Sequence, residues 1–199
     1  MNSGAVAYAD IFDYPLTEKE MHRWWIPSGS DPIVNCVKTH GFWHLSGRSG
    51  LIALRRQRQR FSQLKWQKLN QIKWIFWLIP WIKLVAVTGA LSMNNADKND
   101  DLDLMIIIAK NRLWLTRLFL VIFLFPFLRR AQKINNRLCL NLWLDETSLL
   151  IRQQNLYTAH EICQIKPLFV RDNMYQQFIS SNQWVTRFLP NVLQGLSFA

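Results

Sequence analysis

The residues able to do chemistry gather between Val85 and Ile108. An apolar run, Leu84-Val85-Ala86-Val87, stops at Thr88-Gly89-Ala90, and a second apolar run opens with Asp101-Leu102-Asp103. Residues two apart in a strand project to one face, so Asp101 and Asp103 are expected side by side at a strand start. Carboxylates that close repel, and a divalent cation removes that cost. Hard oxygen ligands suit Mg²⁺, which takes one or two carboxylates together with substrate phosphates. Gly89 supplies a turn without a side chain, where backbone N–H groups can approach a phosphate. The expected chemistry is metal-assisted binding of a phosphate-bearing ligand.

Other candidates are weaker. His22, His40, His44 and His160 have no metal-ligand spacing. Cys36, Cys139 and Cys163 fit no disulfide framework or zinc pattern and are expected to be reduced and buried, as in a cytoplasmic protein. Arg112 and Arg117 flank Trp114 and could reach a triphosphate, but capping and surface roles explain them better; Lys166 precedes Pro167 without a clear task. There is no Ser–His–Asp arrangement and no Walker-type loop.

The elements that must position the acids follow from periodicity. Strands are expected at 84–87, 101–108 and 138–144, with a helix over 112–128 and another from Thr158 to about Ser180, broken near Pro167. Upstream, residues 49–79 read as a long helix. It carries Arg55, Arg56, Arg58, Arg60, Lys65, Lys68 and Lys73, with no acid between Arg48 and Lys83. Its apolar stripe is expected at Leu51, Leu54, Phe61, Leu64, Leu69 and Ile72. The cations form either a solvated face or a phosphate-contacting surface.

Residues 1–47 read as a unit of their own. A short helix stops at Asp13-Tyr14-Pro15, and Thr17-Glu18-Lys19-Glu20 is a capping box for a second. The turn Ser28-Gly29-Ser30-Asp31-Pro32 is expected to start a third helix, with Ile33, Val34 and Val37, that ends near His40-Gly41; Phe42–Leu45 is a strand. Three helices followed by a β-ribbon is the order of a winged helix. The sparse polar positions Asn35, Lys38, Thr39 and His40 favour a packing or protein-contact role over DNA reading. The division expected is 1–47, 48–80 and 81–199.

Composition bounds the partners. The chain of 199 residues carries a net charge of +11, shared as +6 over residues 1–100 and +5 over 101–199. Such a chain attracts polyanions: nucleic acid, nucleotide phosphates or an anionic membrane surface. Two apolar stretches, Trp74–Val87 and Leu118–Leu128, are short for a membrane span and suit core helices or interfacial segments better. The first residues lack the basic and apolar regions of a signal peptide.

The Gly–acid–acid stretch resembles the signature of nucleotidyltransferases of the DNA polymerase beta type: a strand, Gly followed by Gly or Ser, a spacer, then acid–apolar–acid on the next strand. Here it reads Gly89-Ala90, a spacer, then Asp101-Leu102-Asp103. DIFDYPLT, VAVTGALSM, DDLDLMIII and NRLCLNLWL extend the resemblance to small bacterial nucleotidyltransferase-domain proteins. It implies an α+β fold, a mixed sheet with packed helices, an NTP at the Gly turn and two Mg²⁺ held by Asp101 and Asp103. Nucleotidyl transfer to a nucleic-acid or protein acceptor would follow. Ala90 replaces the usual Gly or Ser, and Ser92 is the nearest hydroxyl able to substitute for it. A third carboxylate is implied on the strand at 138–144, where Asn141 is the best-placed polar residue and Asp145 shares its parity. If Asn141 holds the third position, catalysis is weakened or lost, because an Asn cannot act as a base. A non-catalytic protein binding polyanions through its basic surface is the alternative.

Overall fold

A computed structural model describes residues 3–27, 35–128 and 135–194. The chain is α+β and divides into two compact units. One is drawn from Met1–Gln59, Gln153–Cys163 and Gln183–Ala199, the other from Arg60–Arg152 and Gln164–Asn182. Both are built from interleaved segments, and the boundary falls within one helix, Leu51–Ile72.

The first unit begins with helix α1 (Ser3–Asp10), strand β1 (Leu16–Thr17), helix α2 (Glu18–Arg23) and the strands β2 (Cys36–Thr39) and β3 (Phe42–Leu45). The capping box forms as its sequence requires. The Glu20 N–H donates to Thr17 Oγ1 at 3.3 Å, and the Thr17 N–H donates back to Glu20 Oε2 at 2.9 Å. The same carboxylate takes two hydrogen bonds from buried Arg55, at 2.9 and 2.7 Å. Burial pushes the Glu20 carboxyl up, but the Arg55 hydrogen bonds and charge, with the Thr17 N–H and Tyr14, hold it below its usual range.

The helix expected to end near His40-Gly41 does not extend over the described residues 36–40. Residues 28–34, including its starting turn, Ile33 and Val34, lie outside the described residues. Residues 36–39 are strand, paired antiparallel with β3 in a sheet of order β1-β3-β2. His40 and Gly41, at φ 49° and 83°, make the two-residue turn between them. Positive φ at both central positions is what a tight hairpin demands. Lys38 and Thr39 are therefore strand residues, and His40 is in the turn.

Helix α3 (Leu51–Ile72) is followed by a 3₁₀ segment, Lys73–Leu78. Its buried stripe is Ile52, Arg55, Ser62, Lys65, Leu69 and Ile72, while Leu64 is 57% exposed. Two of the seven cations thus sit on the inward face. The rest of the second unit is β4 (Ile82–Val87), the short α4 (Gly89–Ser92), β5 (Leu102–Ile108), α5 (Leu113–Leu124) and β6 (Leu138–Asp145). After α6 (Leu156–Gln164), of the first unit, come β7 (Lys166–Val170) and α7 (Met174–Ser181). The expected helix from Thr158 to Ser180 is corrected to helix–strand–helix. Pro167 lies in β7, which is an edge strand of this sheet, where its missing N–H is tolerated.

The sheet order is β6-β5-β4-β7, with β4 antiparallel to both neighbours and β5 parallel to β6. One face carries Val85, Val87, Leu102, Leu104, Ile106 and Ile108. It packs against Leu69, Ile72 and Phe76 of the α3 and 3₁₀ layer and against Leu120 and Leu124 of α5. The opposite face begins at Asp103 and continues through the buried Met105 and Ile107. Of the two apolar stretches, Trp74–Val87 divides into a 3₁₀ segment and β4, and most of Leu118–Leu128 belongs to α5. Arg129 and Arg130, which flank the second, are outside the described residues. Among the described residues, no helix is long and apolar enough to cross a membrane.

Candidate functional site

The site is assembled at the end of β4, the start of β5 and the start of β6. The Thr88 N–H donates to the Asp103 carbonyl at 3.0 Å, which seats the turn after β4 on the start of β5. Gly89 has φ +60°, a left-handed conformation that disfavours any side chain. A Cβ at Gly89 would also meet Asp103 Oδ2 at 3.1 Å. The glycine therefore makes room for the Asp103 carboxylate, a role that the phosphate-approach argument did not contain.

Ala90 is exposed, and its carbonyl accepts from the Asn95 N–H at 2.9 Å. Ser92 is fully buried, with its hydroxyl donating to the Gly89 carbonyl at 2.7 Å. It closes the turn from within, its hydroxyl engaged by the turn's own backbone.

Asp101 and Asp103 come together with Cys139. Ligand atoms of the three lie within 4.8 Å of one another, and all three side chains are half-buried. The register explains the meeting: Asp103 pairs with Cys139 across the parallel β5–β6 ladder. Neither Asn141 nor Asp145 takes that place. Leu104 pairs with Leu140 but Met105 pairs with Leu142, so Asn141 is an extra, bulged residue. The bulge resets the alternation. Beyond it, Leu142 and Leu144 share the face of Asp103, and Asp145 falls on the other face, paired with Ile108. Five residues of strand put it about 16 Å from Asp103. The Asp145 carboxylate accepts from Thr147 Oγ1 at 2.6 Å, from the Thr147 N–H at 2.9 Å and from the Asn111 N–H at 3.2 Å. The Thr147 hydroxyl is the main reason its pKa lies below the usual range. Asp145 fastens the turn at the far end of the sheet.

A buried lysine holds the entry to β5. Lys65 donates from Nζ to the carbonyls of Lys98 and Asp100 and, at 2.7 Å, to Asn136 Oδ1. Asn136 Nδ2 donates to the Lys98 carbonyl at 3.0 Å, and the Leu102 N–H donates to the Arg137 carbonyl at 2.8 Å. These bonds fix the backbone on both sides of Asp101. Sequence reasoning missed Lys65, Asn136 and Cys139. Cys139 was discoverable: it is the second residue of its strand, as Asp103 is of its own.

Two carboxylates and a thiol make a mixed donor set. The Asp pair fits a hard cation, whereas a thiol favours softer metals such as Zn²⁺. The set can hold one divalent cation through its oxygens, with Cys139 alongside. The other sequence candidates are elsewhere. Arg117 lies over the rings of Trp114 and Trp143, at 5.3 and 5.4 Å. His160 is stacked on Tyr8 and Trp24, and burial lowers its pKa to about 4.

No family model matches the chain, and no curated protein matches it. Among solved structures, a crystal structure of a toxin-antitoxin with AMP-PNP aligns over 61% of this chain and 87% of its own length, at 18% identity and a TM-score of 0.31.

Proposed function

We propose that the chain is a nucleotidyltransferase-type protein that binds an NTP with Mg²⁺ at the Gly89 turn and the Asp101–Asp103 pair. The observation that carries this reading is the convergence of both carboxylates beside a left-handed glycine that admits no side chain. Asp101 and Asp103 would hold the metal, and the side-chain-free turn leaves the triphosphate an approach to the backbone. Held by Asp101 and Asp103, Mg²⁺ would supply neutralisation of phosphate charge and Lewis-acid activation of the acceptor. The protein's own share is positional: Lys65 and Asn136 fix the Asp101 backbone, and the Thr88 N–H fixes that of Asp103.

Cys139 favours a second reading, nucleotide binding with slow transfer or none. It stands where the resemblance implies a third carboxylate, and a thiol is a poor Mg²⁺ ligand. Nucleic acid or protein would be the acceptor.

The test is NTP binding with and without Mg²⁺, on wild type and on Asp101→Ala/Asp103→Ala, followed by release of pyrophosphate. Metal-dependent binding lost in the variant supports the site. Equal binding by the folded variant refutes it. Binding without pyrophosphate release across a panel of acceptors selects the second reading.

A further inference from the structure

Helix α5 is apolar on two faces. Thr116, Leu120 and Leu124 are fully buried against the sheet layer. The outward face presents Trp114, Leu118, Val121, Ile122 and Phe125, exposed by 77, 56, 45, 59 and 56%. These positions recur at i, i+4, i+7, i+8 and i+11, one continuous stripe along the helix. A stripe of this size marks an interaction surface.

The charge around it says what kind. From Leu104 to Leu144 the sequence has seven Lys or Arg; the acids that follow, Asp145 and Glu146, accept from the Asn111 and Lys110 N–H groups at 3.2 and 2.9 Å, on the approach to the helix. Lys110 and Arg112 are exposed just before the helix, and Arg117 emerges within it, its guanidinium over Trp114 and Trp143. Apolar side chains bordered by cations and tryptophans match the boundary between acyl chains and anionic headgroups. Twelve residues span about 18 Å, short of a hydrocarbon core of about 30 Å, so the helix would lie in the plane of the leaflet.

We infer that the outward face of α5 is a peripheral docking surface for an anionic lipid leaflet. The apolar stripe inserts to the acyl boundary, and Arg112 and Arg117 meet headgroup phosphates. The inference is independent of the nucleotide reading.

The test uses the full chain and sedimentation with two vesicles: phosphatidylcholine alone, and phosphatidylcholine with one lipid in three replaced by phosphatidylglycerol. The chain is expected to sediment with the anionic vesicles, with a blue shift of tryptophan emission. Added salt should weaken this binding without abolishing it. Leu118→Ser/Ile122→Ser should lower the partition coefficient at least about tenfold. Both positions are exposed, so an unchanged melting temperature and circular dichroism spectrum verify the fold of the variant. Trp114→Phe, an independent probe, should remove part of the blue shift while sedimentation persists. The inference is overturned if folded wild type binds neither vesicle, if it binds both equally, or if the double variant binds as wild type does. A dimer that the same double substitution dissolves, without vesicle binding, assigns the face to a second copy and overturns it too.

Discussion

Gly89→Ala separates two reasons for one glycine. The first is backbone: at φ +60° an alanine occupies the left-handed region, which costs about 1–2 kcal/mol for a residue with a Cβ. The second is steric: the new Cβ would stand 3.1 Å from Asp103 Oδ2, closer than ordinary van der Waals contact, and the carboxylate must give by a few tenths of an ångström. The first cost persists if Asp103 is shortened, and the second disappears. The assay is therefore a cycle of Gly89→Ala and Asp103→Ala, read by denaturation and by Mg²⁺ titration. In the Asp103→Ala background, Gly89→Ala should cost only the backbone share, a fall in melting temperature of about 2–8 °C at the sensitivity usual for this chain length. In the wild-type background it should cost more, and Mg²⁺ binding should weaken as the carboxylate leaves its position. Equal costs in both backgrounds, with Mg²⁺ binding unchanged, would refute the claim that Gly89 exists to seat Asp103.

Other outcomes follow from neighbouring groups. Cys139→Asp adds a carboxylate beside two others, so without metal the variant should be less stable than wild type, and Mg²⁺ should restore it. Its Mg²⁺ affinity should rise about tenfold, which is ~1.4 kcal/mol by calorimetry. Lys65→Met removes a charged donor from three acceptors and should destabilise by about 3 kcal/mol in urea unfolding, weakening Mg²⁺ binding with it. His160 titrates near 6.5 when unfolded and near 4 when folded, because burial disfavours the cation. As pH falls below 6.5 the unfolded chain takes up the proton first, so stability drops between pH 6.5 and 4. The loss by pH 5 is about 2 kcal/mol in denaturant titrations, and His160→Phe should remove it.

What the sequence disclosed depended on how local each signal was. The capping box at Thr17–Glu20 is encoded within four residues and formed where expected. Features that need two strands at once stayed hidden. The bulge at Asn141 is set by pairing with β5, so uniform alternation put Asp145 on the wrong face; Cys139 was passed over because the third ligand was sought as a carboxylate. Strand β7 was concealed because a proline argues against a strand until the strand is known to lie at an edge. Lys65 and Arg55 read as cations of a solvated or phosphate-contacting face because their partners, Asp100 and Glu20, are each 35 residues away.

The bulge in β6 also bears on how this chain can change length. Asn141 has no opposite number on β5, while the residues on either side keep theirs. Deleting it would straighten the strand and leave Cys139 opposite Asp103 and Trp143 opposite Ile106. Deleting a flanking residue instead would turn part of the strand inside out unless Asn141 took up the slack. β6 thus contains a spare position where an insertion or deletion can be absorbed, with the Cys139 end and the Asp145 end free to diverge separately.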